Sequence, residues 1–243
     1  MKTPYDVVLK PVISEKSMEA VSYTHLFTEN GKFNIDSFQK KSAELLAKQE
    51  SLVIILNTPA HNPTGYSLTL EDWDHVIAVL QEEAKCGKAI ALVIDAAYID
   101  FAGDEEEYRR FLPKLEALPE NVLPIMAYSL SKTYTLYGTR CGAMICIAKT
   151  KEIADEFKRV CEYSSRGSWS NSAKVAQVIL SRIYGEPGLL ERVDKERAHY
   201  REMLIKRGRA CLLYTSRFRR STAEICRSPG RIDHPMLRRL LYH

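Results

Sequence analysis

Asn121-Val122-Leu123-Pro124-Ile125-Met126-Ala127-Tyr128-Ser129-Leu130-Ser131-Lys132 is the stretch on which the fold turns. Its apolar run has the length of a buried strand and is bounded by asparagine and proline signals. The run ends in two serines and a lysine, and Arg140 follows eight residues after the lysine. An amine is thus delivered to the carboxyl end of a strand, where open α/β sheets place their ligands. Hydroxyls at Ser129 and Ser131, with the guanidinium of Arg140, are the groups that would grip a phosphate beside that amine.

The same alternation extends outward on both sides. The pattern predicts a helix over 36–48, a strand over 52–56, a helix over 70–84, a strand over 89–94 and a helix over 105–118, ahead of the strand at 122–128. A further strand at 143–148, of either direction, and three helices near 151–163, 173–184 and 189–207 complete it. Strands alternating with amphipathic helices argue for an α/β fold, a mostly parallel sheet sandwiched by helices. With 45% hydrophobic residues in 243, the chain can fill a core of that kind.

Two more strand ends carry chemistry. Asn57-Thr58-Pro59-Ala60-His61-Asn62-Pro63-Thr64-Gly65 closes the run 52–56, and Ala91-Leu92-Val93-Ile94-Asp95-Ala96-Ala97-Tyr98 ends the next. Alone, each has a plain reading: Asp95 as a helix N-cap, Asn62 to Gly65 as a turn, Tyr98 as a packed aromatic, Lys132 as a solvated loop residue. In this order, each at a strand end, the three motifs resemble the signature set of the class I/II aminotransferases, the fold-type I pyridoxal phosphate enzymes. The resemblance covers about 27–210, the large cofactor-binding domain, incomplete at both ends. It implies that Lys132 is the Schiff-base lysine and proton shuttle, and that Asp95 pairs with the pyridine nitrogen. It further implies that Tyr98 and Asn62 hydrogen-bond the phenolic oxygen, and that Ser129, Ser131 and Arg140 belong to the phosphate cup. Arg166-Gly167-Ser168-Trp169-Ser170-Asn171 resembles the R-x-x-Y/W-S-N segment of the aspartate and aromatic branch, in which the arginine binds a distal substrate carboxylate across a dimer interface. Ser172-Ala173 stands where that branch continues with prolines.

The two ends read differently. Thr3 to Ala20 resembles the start of bacterial large-subunit ribosomal protein twenty-three. The DNA string TGTCTCTTATACACATCT encodes Cys211 to Ser216 in its first frame and Val21 to Leu26 one base later. That string is similar to a transposase-end adapter, so 1–26 is expected to be a foreign segment and 211–243 a join followed by an unrelated basic tail. Charge follows the same division: the tail carries seven arginines against two acids, and the net charge of +4 comes from it. Without aromatic interleaving or helical period, that cluster is not read as a nucleic-acid surface.

Six cysteines, with no CxxC pair and no metal-like spacing to histidine, read as reduced thiols. No apolar run reaches the length of a membrane span, so the expected location is cytoplasmic, with no metal and no membrane partner. The expected activity is transfer of an amino group between an amino acid, of aspartate or aromatic type, and a 2-oxo acid, using pyridoxal 5'-phosphate in a homodimer. Activity is expected to be impaired in this chain, because neither the family's glycine-rich phosphate loop nor its α-carboxylate arginine is identifiable. A β-lyase or decarboxylase on the same cradle is the alternative, and a ribosomal RNA-binding protein a more distant one.

Overall fold

The computed structural model describes residues 27–28, 31–103, 105–171 and 173–227. The ribosomal resemblance at 3–20 and the adapter-like stretch 21–26 lie outside the described residues. The chain divides into two compact units, Met1–Gly185 and Glu186–His243.

The first unit is built on four strands, β1 (Ser51–Asn57), β2 (Ala89–Asp95), β3 (Val122–Ser129) and β4 (Gly142–Cys146), in the order β1-β2-β3-β4. The first three are parallel and β4 runs antiparallel to β3, which makes the sheet mostly parallel, as the pattern predicts. Pro124 is tolerated in β3 for a specific reason. Its carbonyl faces β4, accepting from the amide of Ile147 at 3.1 Å, just beyond the last ladder pair, Ile125 with Cys146. The missing N–H therefore points where no ladder bond is required. Gly142, opposite Ser129, allows the two strands to meet: a Cβ there would lie 2.5 Å from the carbonyl oxygen of Tyr128.

Period-two alternation sends Leu52, Ile90, Leu92, Ile94 and Val122 to one face. Helices α1 (Ile35–Lys48) and α2 (Leu70–Glu83) cover that face. From α2 come Trp73, Val76, Ile77 and Leu80, and the Trp73 ring stacks on Phe111 at 4.5 Å between centroids. Each such aliphatic side chain contributes about 2 kcal/mol when fully removed from water. Helix α2 starts at a capping box, in which Thr69 and Asp72 bond each other's backbone amides. Helix α5 (Lys151–Ser168) covers the other face, where Phe157 and Ile153 meet Ala89, Ala91, Leu123 and Ile125. That cover stops short of β1, whose Ile55 is 64% exposed.

The helix expected over 105–118 is two pieces, α3 (Glu105–Arg109) and a 3-10 segment (Leu112–Ala117). Pro113 is the cause, since it lacks an amide proton and its ring would meet the carbonyl of Arg109. A four-residue helix, α4 (Leu130–Thr133), follows β3, and α6 (Lys174–Gly185) closes the unit.

The second unit holds one long helix, α7 (Leu189–Arg227). The end expected at Arg207 and the join expected at 211–216 both fall inside it. Between Leu189 and Arg227 there is no proline and a single glycine, so the chain offers no strong stop before Pro229-Gly230. Pairs such as Lys195 with Glu191, at 2.7 Å, line its exposed surface.

Candidate active site

Parallel register decides what stands level at the carboxyl end of the sheet. Asn57 pairs with Asp95, and Asp95 with Ala127, so three strand ends finish side by side. Asn57 Nδ2 donates to Asp95 Oδ2 at 2.8 Å, and the amide of Ala97 donates to Oδ1 at 3.2 Å. Both carboxylate oxygens are thereby aimed. Asn57 Oδ1 accepts the amide of Asn62 at 2.7 Å, which ties the loop after β1 to the same point. Gly65 (φ 73°) makes the left-handed turn that returns this loop to α2, its amide bonding the carbonyl of His61. Partial burial holds the His61 imidazole below its ordinary value.

Asn62 Nδ2 reaches the Tyr98 hydroxyl at 3.5 Å, the long limit of a hydrogen bond. Lys132 enters from the third strand. Ser129 caps α4, its hydroxyl accepting the Ser131 amide at 3.3 Å, and Ser131 is buried. The Lys132 amine sits 5.3 Å from the centroid of the Tyr98 ring and 4.5 Å from that of Tyr137. Two aromatic faces hold the cation at the mouth of the cradle.

Asp95, Asn62, Tyr98 and Lys132 are thus joined, with Ser129 and Ser131 at the start of the lysine's helix. Arg140 is not drawn into that group. It takes a left-handed conformation (φ 49°), and its guanidinium donates to the carbonyl of Tyr137 at 3.2 Å. Arg166 lies in the last turn of α5 and bonds the carbonyl and hydroxyl of Ser170, each at 3.1 Å. Sequence reasoning missed Asn57 and Tyr137. Asn57 opens the motif that closes β1, but only strand register shows that it faces Asp95. Among the described residues, no cluster of His, Cys, Asp and Glu could hold a metal ion, and no helix is long and apolar enough to cross a membrane.

The family model described as aminotransferase class I and II matches residues 8–216. This chain belongs to that family. Among similar aminotransferases is the aspartate aminotransferase of Salmonella typhi, 29% identical over 195 residues, which are 80% of this chain and 47% of that protein. The aromatic-amino-acid aminotransferase of Pseudomonas aeruginosa is 30% identical over 139 residues, 56% of this chain and 33% of that protein. An aminotransferase structure from Anaerococcus prevotii superposes with a TM-score of 0.73 at 38% identity, covering 75% of this chain and 45% of that one. The fold is shared with the Burkholderia pseudomallei aromatic-amino-acid aminotransferase covalently bound to pyridoxal phosphate, at a TM-score of 0.61 and 24% identity, over 76% of this chain and 44% of that one. The chain therefore spans a third to a half of the length of these aminotransferases.

Proposed function

We propose that this chain carries the cofactor cradle of a pyridoxal phosphate-dependent aminotransferase, moving an amino group between an amino acid of aspartate or aromatic type and a 2-oxo acid. The observation that carries this is the oriented Asp95 carboxylate beside the Asn62–Tyr98 pair, with the Lys132 amine over the Tyr98 ring. The donor set fits the group: a carboxylate for a protonated ring nitrogen, two donors for a phenolic oxygen, an amine for an aldehyde, and hydroxyls for a phosphate. Pyridoxal phosphate, when bound, supplies an electron-poor ring that accepts the electron pair left at the substrate α-carbon.

In this reading Asp95 holds the ring nitrogen, Tyr98 and Asn62 hold the ring oxygen, and Ser129, Ser131 and Arg140 hold the phosphate. Lys132 binds the cofactor and then takes and returns a proton at the substrate α-carbon. Arg166 would bind the distal carboxylate of a dicarboxylic substrate once it leaves Ser170. A homodimer in the cytoplasm completes the proposal. It is tested by incubating the cofactor-loaded chain with L-aspartate or L-tyrosine in deuterated water and following the α-proton by NMR. Exchange with the carbon skeleton intact is the expected result. Loss of carbon dioxide or of the β-substituent would assign the site to a decarboxylase or β-lyase instead.

A further inference from the structure

Asp100 lies two residues after Tyr98, in the 3-10 turn Ile99–Phe101, with its side chain only 6% exposed. Its Oδ2 accepts two hydroxyls, that of Tyr128 at 2.9 Å and that of Thr133 at 2.6 Å. Its Oδ1 pairs with Arg109 Nη2 at 2.8 Å. Tyr128 immediately precedes the Ser129 cap of α4, and Thr133 immediately follows Lys132. One carboxylate therefore grips α4 on both sides of the lysine and ties it to the turn that follows Tyr98.

A four-residue helix cannot hold itself, because a single turn does not repay the cost of nucleation. The Ser129 cap secures only its start. Thr133 is buried, and its hydroxyl is spent on Asp100 rather than on its own helix. Burial pushes the Tyr128 phenol well above its ordinary value, with the charge of Asp100 a smaller cause, so it stays a donor. Opening either hydroxyl bond would leave a buried carboxylate short of a donor, which is costly.

We infer that Asp100, Tyr128 and Thr133 form a clamp that fixes the rotation of α4 and so turns the Lys132 amine toward Tyr98 and Asn62. These are positioning residues for the lysine, and the inference rests on the cofactor reading above. The clamp limits how far the amine wanders between the Tyr98 and Tyr137 rings, and so raises the fraction of time it faces the cradle.

The test uses the full chain with sub-saturating pyridoxal 5'-phosphate, borohydride reduction, and mass spectrometry to read the initial labelling rate at Lys132 against that at other lysines. Thr133→Val keeps the side-chain volume and removes the hydroxyl. It is expected to slow labelling at Lys132 by about tenfold, with labelling elsewhere and the circular dichroism spectrum unchanged. Thr133→Ser should return the rate to within about twofold of the parent, because the hydroxyl bond is what matters. Tyr128→Phe, which removes the other hydroxyl, should slow it several-fold and stands in if the valine variant does not fold. Parental rates in both the valine and phenylalanine variants would overturn the clamp, as would a serine variant as slow as the valine. A parent that labels freely at other lysines but not at Lys132 would overturn the cofactor reading and the clamp with it.

Discussion

Asp95, proposed for the ring nitrogen, and Arg140, proposed for the phosphate, are held in opposite ways. Asp95 has a donor on each carboxylate oxygen, one across the sheet from Asn57 and one from the amide of Ala97. Arg140 sits on the far side of a 3-10 turn (Tyr137–Thr139) and spends its guanidinium on a carbonyl three residues back. The carboxylate side is set by strand register, which cannot shift without moving the core. The guanidinium side is set by a local loop that an arriving phosphate can re-aim at the cost of about one hydrogen bond. A rigid carboxylate and an adjustable cation is a sound division, because a ring nitrogen demands one direction and a phosphate accepts many.

That contrast can be broken in graded steps. Lys132→Ala should abolish specific borohydride labelling while leaving the fold intact, since the side chain is half-buried and outside the core. Asn57→Ala should weaken binding of pyridoxal 5'-phosphate and of phosphate-free pyridoxal alike, each by about tenfold, because it frees a carboxylate that both ligands use. Arg140→Ala should weaken pyridoxal 5'-phosphate several-fold in low salt and leave pyridoxal unchanged, and the effect should shrink as salt screens it. Equal losses for both ligands in the arginine variant would end the distinction. Spectrophotometric titration reads all of these.

The smallest effect lies away from the site. Burial beneath α5, helped by neighbouring Cys161, pushes the Cys146 thiol up from 9.0 to about 11. A thiol whose folded value is raised gives stability that is full below its unfolded value and lost as pH rises through the folded one. Denaturant midpoints should therefore fall between about pH 9 and pH 11, and Cys146→Ala should flatten part of that fall. A parallel decline in both proteins would remove Cys146 as its source.

What the sequence shows follows from what is local. The strand ends at Asn57, Asp95 and Ser129 are legible because short apolar runs stop at recognisable residues. The break at Pro113 follows from proline chemistry, which the amphipathic pattern over 105–118 does not register. The predicted end of α7 at Arg207 stands just before Gly208, yet one glycine costs a long helix only about 1 kcal/mol. The bond from Asn57 to Asp95 and the grip of Asp100 on Thr133 depend on residues 38 and 33 positions apart. No spacing rule reaches that far.

The most direct measurement is a borohydride trap on the parent chain with pyridoxal 5'-phosphate, digested and mapped by mass spectrometry. A cradle that forms as proposed concentrates the label on Lys132. Label spread over exposed lysines such as Lys48, Lys85 and Lys151 in a folded chain, with none at Lys132, would contradict it.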